Sequence, residues 1–238
     1  MLIDRQKAAR PFNEMLVTLA KPRSFEADQF RRLRHRVEEL ASSRGFRMIA
    51  VTSAMASDGK TLTAINLAGA LAEGARVLLI DADLRQPAVG TTLGLPNGGG
   101  GLDAAARRTP VSLQPYVQAI GHSTFDVLPC EKPPVDPYAF LTSPGFAALA
   151  AEARRSYDYV LVDTAPVLPV PDTGLLMRHV DGYLVVVSAN GTPRKLLAET
   201  LNQLQPSSVL GLVFNRDTEP LFGYYGSHYE GYFKEPSS

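Results

Sequence analysis

Apolar residues along this chain fall into two alternating patterns, short unbroken runs and longer stretches that recur every three or four positions. The runs are Met48 to Ser53, the apolar part of Arg76 to Arg85 (RVLLIDADLR), Phe125 to Leu128, Tyr157 to Asp163 (YDYVLVD), Tyr183 to Val187 and Val209 to Asn215. Runs of this length suit strands buried on both faces of a parallel sheet. Helical stretches lie between them: Phe25 to Ser43, Lys60 to Glu73 closed by Gly74, Phe146 to Arg155, Asp172 to His179, and Pro193 to Gln205 with proline at its start. In the first of these, Phe30, Leu33, Val37 and Leu40 share one face, Arg31, Arg32, Arg34 and Arg36 lie largely elsewhere, and Gly45 ends it. Strands alternating with helices imply right-handed crossovers, so the pattern predicts an α/β fold with a mostly parallel central sheet flanked by helices.

The segments between are legible too. Pro96 to Gly101 reads as a glycine-rich loop, and Pro129 to Pro137, with four prolines, as a rigid irregular connection. The first two dozen residues show no sustained period and contain Pro11 and Pro22, which predicts an extended or poorly ordered lead over 1–24. One domain is expected over 25–220, including the leading helix, and a flexible tail over 221–238. That tail holds four of the nine tyrosines, Tyr224, Tyr225, Tyr229 and Tyr232, interleaved with glycine.

Composition narrows the function. No apolar run approaches the ~20 residues that cross a bilayer, and MLIDRQKAARPF lacks the apolar core of a signal peptide, so a cytoplasmic chain is expected. Cys130 is the only cysteine, which excludes an internal disulfide and a cysteine-rich metal site. Net charge is +0, yet residues 1–47 hold eleven Lys/Arg against six Asp/Glu, leaving thirteen against eighteen for the remainder. The basic excess at one end suits an acidic partner surface or a solvated helix face. With the rest acidic and no recognised module present, nucleic-acid binding is not expected.

The chemistry centres on Val51 to Leu67, VTSAMASDGKTLTAINL: a strand, a loop of small residues, Gly-Lys-Thr and an alanine-rich helix. Triphosphates require backbone N–H groups turned inward, a helix N-terminus behind them and a lysine. Ala56, Ser57, Asp58, Gly59, Lys60, Thr61 and Leu62 occupy those positions, with Lys60 aimed at the β/γ-phosphates and the Thr61 hydroxyl at Mg²⁺. The first glycine of the phosphate-loop pattern is Ala54 here. Asp81 and Asp83 end one predicted strand and Asp163 another, which brings oxygen ligands to the same sheet edge, a set suited to Mg²⁺. Removing Lys60 is expected to cost a charge and no core volume. The alternative for Asp81 and Asp163 is that they cap the turns that follow them.

From about Phe25 onward the chain resembles the bacterial tyrosine kinases that regulate capsule and exopolysaccharide synthesis, the BY-kinases. The resemblance rests on SAMASDGKT, LLIDADLR, VLVDTAP, the PPVDP connection and the terminal tyrosines. It implies a P-loop NTPase-like fold that transfers the γ-phosphate of ATP to tyrosine. It further implies Lys60 and the loop amides at the phosphates, Thr61, Asp83 and Asp163 in the metal shell, and Asp81 orienting or deprotonating the tyrosine hydroxyl, the tasks of Asp81 and Asp83 being interchangeable on sequence alone. Arg85 either contacts phosphate or pairs with a carboxylate, and Asn215 matches a position that contacts adenine. Asp28, Arg31 and Arg34 match the family's self-association motif, with Asp in place of Glu. The phosphoacceptors implied are Tyr224, Tyr225, Tyr229 and Tyr232, modified in trans within a homo-oligomer. The partners implied are a separate transmembrane activator or polysaccharide co-polymerase, other protein-tyrosine substrates and a phosphotyrosine phosphatase, which puts the protein at the inner face of the membrane through a partner. Two rivals stand beside this reading. A partition- or septum-positioning ATPase would carry a signature lysine where this chain has Met55, and a pseudokinase assembly module would bind nucleotide without catalysis.

Overall fold

A computed structural model describes residues 12–120 and 125–217. Residues 1–11 and the tyrosines Tyr224, Tyr225, Tyr229 and Tyr232 lie outside that range. The elements run α1 (Val17–Ala20), α2 (Phe25–Arg44), β1 (Met48–Ser53), α3 (Lys60–Leu71), β2 (Val77–Ala82), α4 (Val89–Leu93), α5 (Gly101–Arg107), β3 (Gln118–Ile120) and β4 (Phe125–Leu128). They continue with α6 (Pro137–Leu141), α7 (Pro144–Ser156), β5 (Tyr159–Thr164), α8 (Asp172–Leu175), β6 (Gly182–Ser188), α9 (Arg194–Gln203) and β7 (Val209–Asn215).

Among the described residues seven strands form one sheet in the order β3-β4-β2-β5-β1-β6-β7, parallel except for the β3–β4 pair. Every residue of β1, β2 and β6 is buried, because helices cover both faces. Alternate residues of each strand feed opposite cores. Ile49, Val51, Leu79 and Leu161 meet α3 and, beyond it, Leu16 and Val37. Met48, Leu78, Ile80, Val160 and Val162 meet Leu102, Phe146 and Leu149 of α5 and α7, while Ala50, Tyr183 and Val185 meet Leu204 after α9. The short antiparallel β3 at one edge gives no periodic signal in three residues and was not expected from the pattern.

The leading helix begins where the Ser24 hydroxyl accepts the Ala27 N–H at 3.2 Å and ends at Gly45, in the left-handed region at φ 73°. Its packing corrects one expectation and bears on another. Residues 12–20, expected as part of a loose lead, are docked: Leu16 is fully buried, and Asn66 of α3 accepts the Thr18 N–H at 3.1 Å while donating to the Met15 carbonyl at 3.0 Å. Arg31 and Arg34, expected to face a neighbouring subunit, both reach Glu73 of their own chain, at 2.9 and 3.0 Å. Arg31 also holds Asp28 at 2.7 Å, and Arg34 holds Glu38 at 2.7 Å.

Candidate nucleotide and phosphoryl-transfer site

The site forms where β1, β2 and β5 end side by side. Asp81 and Asp163 are register partners on β2 and β5, and their side chains stand on the face covered by α3. Between β1 and α3 the loop turns through two left-handed residues, Ser57 at φ 68° and Gly59 at φ 97°. A Cβ at Gly59 would collide with the Asn215 amide, so the position demands glycine twice over. Ala54 is buried and takes no positive φ, which explains why the loop tolerates alanine where the phosphate-loop pattern has glycine. The first-turn N–H groups of α3 have no intrahelical acceptors and open toward the loop, the arrangement that receives an anion.

Around this cradle sits one buried cation among three buried carboxylates. Lys60 Nζ lies 2.8 Å from Asp83 Oδ2, with the lysine side chain 13% exposed and the aspartate 3%. The Thr61 hydroxyl donates to Asp163 Oδ2 at 2.6 Å. Asp83 Oδ1 accepts the Gln86 N–H at 3.0 Å, and Asp81 Oδ2 accepts the Val89 N–H at 3.0 Å. Asp81 Oδ1 and Asp163 Oδ1 are buried with no hydrogen-bond partner. Such atoms are costly unless a ligand completes them.

Electrostatics separate the groups. Burial, with the Asp163 charge behind it, pushes the Asp81 carboxyl up to about 8. Burial also raises Asp163, but Lys60 and the Thr61 hydroxyl pull against it and leave it at about 6. Burial alone would lower Lys60; Asp163, Asp83 and Asp81 outweigh it, so the ammonium is held charged. Near neutral pH, then, Asp81 retains a proton in the nucleotide-free protein while Asp163 is ionised beside the Lys60 ammonium. Cys130 is buried beside this region and its thiol is pushed up to about 12, which leaves it a core residue.

The oxygen set fits Mg²⁺. Thr61 and Asp163 meet at one point, two carboxylate oxygens lack partners, and no three His, Cys or acidic side chains among the described residues make a self-sufficient metal cage. A cation that keeps waters and takes phosphate oxygens needs no such cage.

The other residues expected at the site lie in the loop or around it. Asp58 turns inward: 4% exposed, it accepts the Met55 N–H at 3.0 Å and the Thr192 hydroxyl at 2.9 Å. Asn215 donates to the Asp58 carbonyl at 2.9 Å. Arg85 makes a two-pronged pair with Asp172, at 2.8 and 3.1 Å, which is the second of the two roles the sequence allowed. Ala56 and Ser57 are exposed at the loop, while the Leu62 side chain packs into the core against α3's own face of the sheet. Thr192 and Asp172 carry no motif of their own, and only the fold brings them to this edge.

Sheet order, phosphate loop and converging strand-end carboxylates define a P-loop nucleotide-binding domain. The family model for the CobQ/CobB/MinD/ParA nucleotide binding domain matches residues 49–221. The tyrosine-protein kinase YwqD of Bacillus subtilis (strain 168) is 34% identical over 218 residues, covering 89% of this chain and 91% of that protein. The succinoglycan biosynthesis transport protein ExoP of Rhizobium meliloti (strain 1021) is 32% identical over 240 residues, 93% of this chain but only 29% of its own length. The kinase domain of the Escherichia coli tyrosine kinase ETK superposes with a TM-score of 0.79 at 25% identity, covering 89% of this chain and 83% of that one. The chain therefore belongs, within the CobQ/CobB/MinD/ParA family, to the bacterial tyrosine kinases. The septum site-determining protein MinD of Pyrococcus horikoshii, at 21% identity and a TM-score of 0.58, shares the fold alone.

Proposed function

We propose that this domain is an ATP-dependent protein-tyrosine autokinase acting in capsule or exopolysaccharide synthesis or export, and that it modifies its own C-terminal tyrosines in trans. The single observation that carries the chemistry is the partnerless Asp81 Oδ1, on a carboxyl raised to about 8. It stands at the same sheet edge as Lys60, Thr61 and Asp163. Bound Mg-ATP supplies the transferable phosphoryl group and the divalent charge. Lys60 and the loop amides of Ala56 to Leu62 bind and neutralise phosphate oxygens, and Thr61 with Asp163 and Asp83 hold the cation. Asp83 is engaged by Lys60 and Gln86, whereas Asp81 has a free oxygen, so Asp81 is the group that takes the tyrosine proton. Asp81 holds a proton in the nucleotide-free protein, and the divalent charge of bound Mg-ATP beside it would favour its ionised form, the form able to accept the tyrosine proton. Catalysis by positioning and charge neutralisation is what phosphoryl transfer chiefly asks of a protein.

The tail holding Tyr224, Tyr225, Tyr229 and Tyr232 follows β7 directly. In a homo-oligomer it reaches the neighbour's site, where tethering raises its effective concentration. Each phosphate adds about −1.5 to −2 charge, and several together loosen the assembly by repulsion. A self-association surface through Asp28, Arg31 and Arg34 requires Glu73 to yield those arginines to a neighbour. No helix among the described residues is long and apolar enough to cross a membrane. A separate transmembrane activator is the partner this reading expects, and with it a position at the inner membrane face. Other protein-tyrosine substrates and an opposing phosphotyrosine phosphatase complete the expected partners.

Incubation with Mg-ATP followed by peptide mass spectrometry tests the reading. Phosphotyrosine on the four tail positions is expected. ATP hydrolysis with no phosphotyrosine would mark the partition-type ATPase, and nucleotide binding with neither activity would mark the pseudokinase. Modification confined to Tyr116, Tyr138 or Tyr183 would leave a kinase but overturn the role of the tail.

A further inference from the structure

We infer that Thr192 is a positioning residue for the nucleotide site, bracing the phosphate loop through Asp58. The inference rests on the reading of that loop as the nucleotide cradle and adds a residue from the far side of the sheet. Three strands away from β2, the turn after β6 is closed by Thr192, whose N–H donates to the Ser188 carbonyl at 3.0 Å and whose Oγ1 accepts the Ser188 N–H at 2.9 Å. With one of its two lone pairs taken by that N–H, the hydroxyl turns its proton to Asp58 Oδ1, to which it donates at 2.9 Å. Asp58 passes the constraint on: its Oδ2 accepts the Met55 N–H at 3.0 Å, and its carbonyl accepts the Asn215 amide at 2.9 Å. β6 and β7 pair at Ser188 and Asn215, so both braces spring from one rigid pair of strand ends.

The loop has need of external bracing. Ser57 holds φ 68° without being glycine. Such conformations persist where the surroundings over-determine them. A loop held in its binding shape before nucleotide arrives spends none of the binding energy on ordering, so the effect of losing the brace falls on affinity.

The experiment compares wild type with Thr192→Val, Thr192→Ser and Lys60→Ala in the full chain, by calorimetric titration with Mg-ATP and by autophosphorylation rate against ATP concentration. Thr192→Val keeps the shape and deletes the hydroxyl; it should weaken Mg-ATP binding and raise the KM for ATP by about tenfold, equivalent to about 1.4 kcal/mol, with kcat within about twofold. Thr192→Ser keeps the hydroxyl and should restore both values. Thr192→Val that binds Mg-ATP as wild type does, while Lys60→Ala does not, overturns the brace and leaves the cradle standing. Loss of kcat, KM and melting temperature together in Thr192→Val, unrescued by serine, also overturns it, as plain structural damage. Undiminished binding by Lys60→Ala instead removes the reading of the cradle itself.

Discussion

Lys60 does more in this fold than its place in a phosphate loop requires, and replacing it by methionine should destabilise the nucleotide-free protein in a pH-dependent way. The expectation from sequence was a loss of charge without cost to the fold. In the structure Lys60 is the cation within a pocket formed with Asp81, Asp83 and Asp163, which are 1%, 2% and 0% exposed. Removing one partner of a buried pair typically costs about 3–5 kcal/mol, because the remaining charge is left uncompensated. The cluster recovers part of this by taking up a proton, so about 2–4 kcal/mol is expected near pH 8. At about 2–4 °C per kcal/mol for a domain of this size, the melting temperature falls by roughly 5–15 °C. The sign with pH follows from Asp163, which at about 6 already sits above its ordinary 3.8 and rises further once Lys60, its largest lowering influence, is gone. A carboxyl whose folded value is raised contributes its stability fully below the unfolded value and loses it as pH climbs through the folded one. Lys60, its own value raised, is charged throughout this window. The deficit of Lys60→Met should therefore be small near pH 5 and large near pH 8, the two pH values lying on either side of about 6. Thermal melts of both proteins without nucleotide or Mg²⁺ measure it. An equal deficit at both pH values, a larger one at the acid end, or none at all would refute the account.

Asp81→Asn removes a carboxyl whose value is raised from 3.8 to about 8 and should stabilise the apo protein, with a margin over wild type that widens as pH rises between those values, while abolishing phosphotyrosine formation; a lower melting point than wild type near pH 8 counts against it. Leu16→Ala hollows a fully buried site between α1, α2 and α3 and should cost about 2–3 kcal/mol, exposing residues 12–24 to limited proteolysis; an unchanged melt would mean that the docked segment contributes nothing. Glu73→Ala breaks both arginine pairs at half-exposed positions, so about 1 kcal/mol is lost at low salt and almost none near about 1 M salt. The same change frees Arg31 and Arg34 for a neighbour, and light scattering should show larger species than wild type at low salt; identical masses would argue that these arginines serve only their own chain.

The strands and the chemistry of their ends were legible because both are local. Four to six apolar residues closed by Asp or by Gly-Lys-Thr announce a central strand and its ligand-facing tip whatever the rest of the chain does. What could not be read is what depends on distant partners. Leu16 looks like one apolar residue in an aperiodic stretch until α3 supplies Asn66 to hold the backbone around it. Arg31 and Arg34 look like free cations on a helix, and the acid that occupies them lies at the far end of α3, in a part of the chain with no apparent relation to them. Arg85 gave two choices, and only the position of Asp172 decides between them. Thr192 has no signal at all in sequence, since a threonine before a proline at a helix start is ordinary, and its hydroxyl acquires meaning only when β6 comes to lie next to β1.

Strand order also fixes when this site can exist during synthesis. β5 is inserted between β1 and β2, so the two strands made first are not neighbours and neither can close its inner edge until β5 arrives. Thr61 and Asp163, which share a hydrogen bond, are 102 residues apart. At the usual pace of translation that gap is about 5–20 s, during which β1 and β2 present open edges of unpaired backbone groups. A nascent chain in that interval already carries Lys60, Asp81 and Asp83 but has no means of holding them together. Interrupted translation therefore yields an aggregation-prone fragment for the quality-control machinery, and never a partly built domain with a working site.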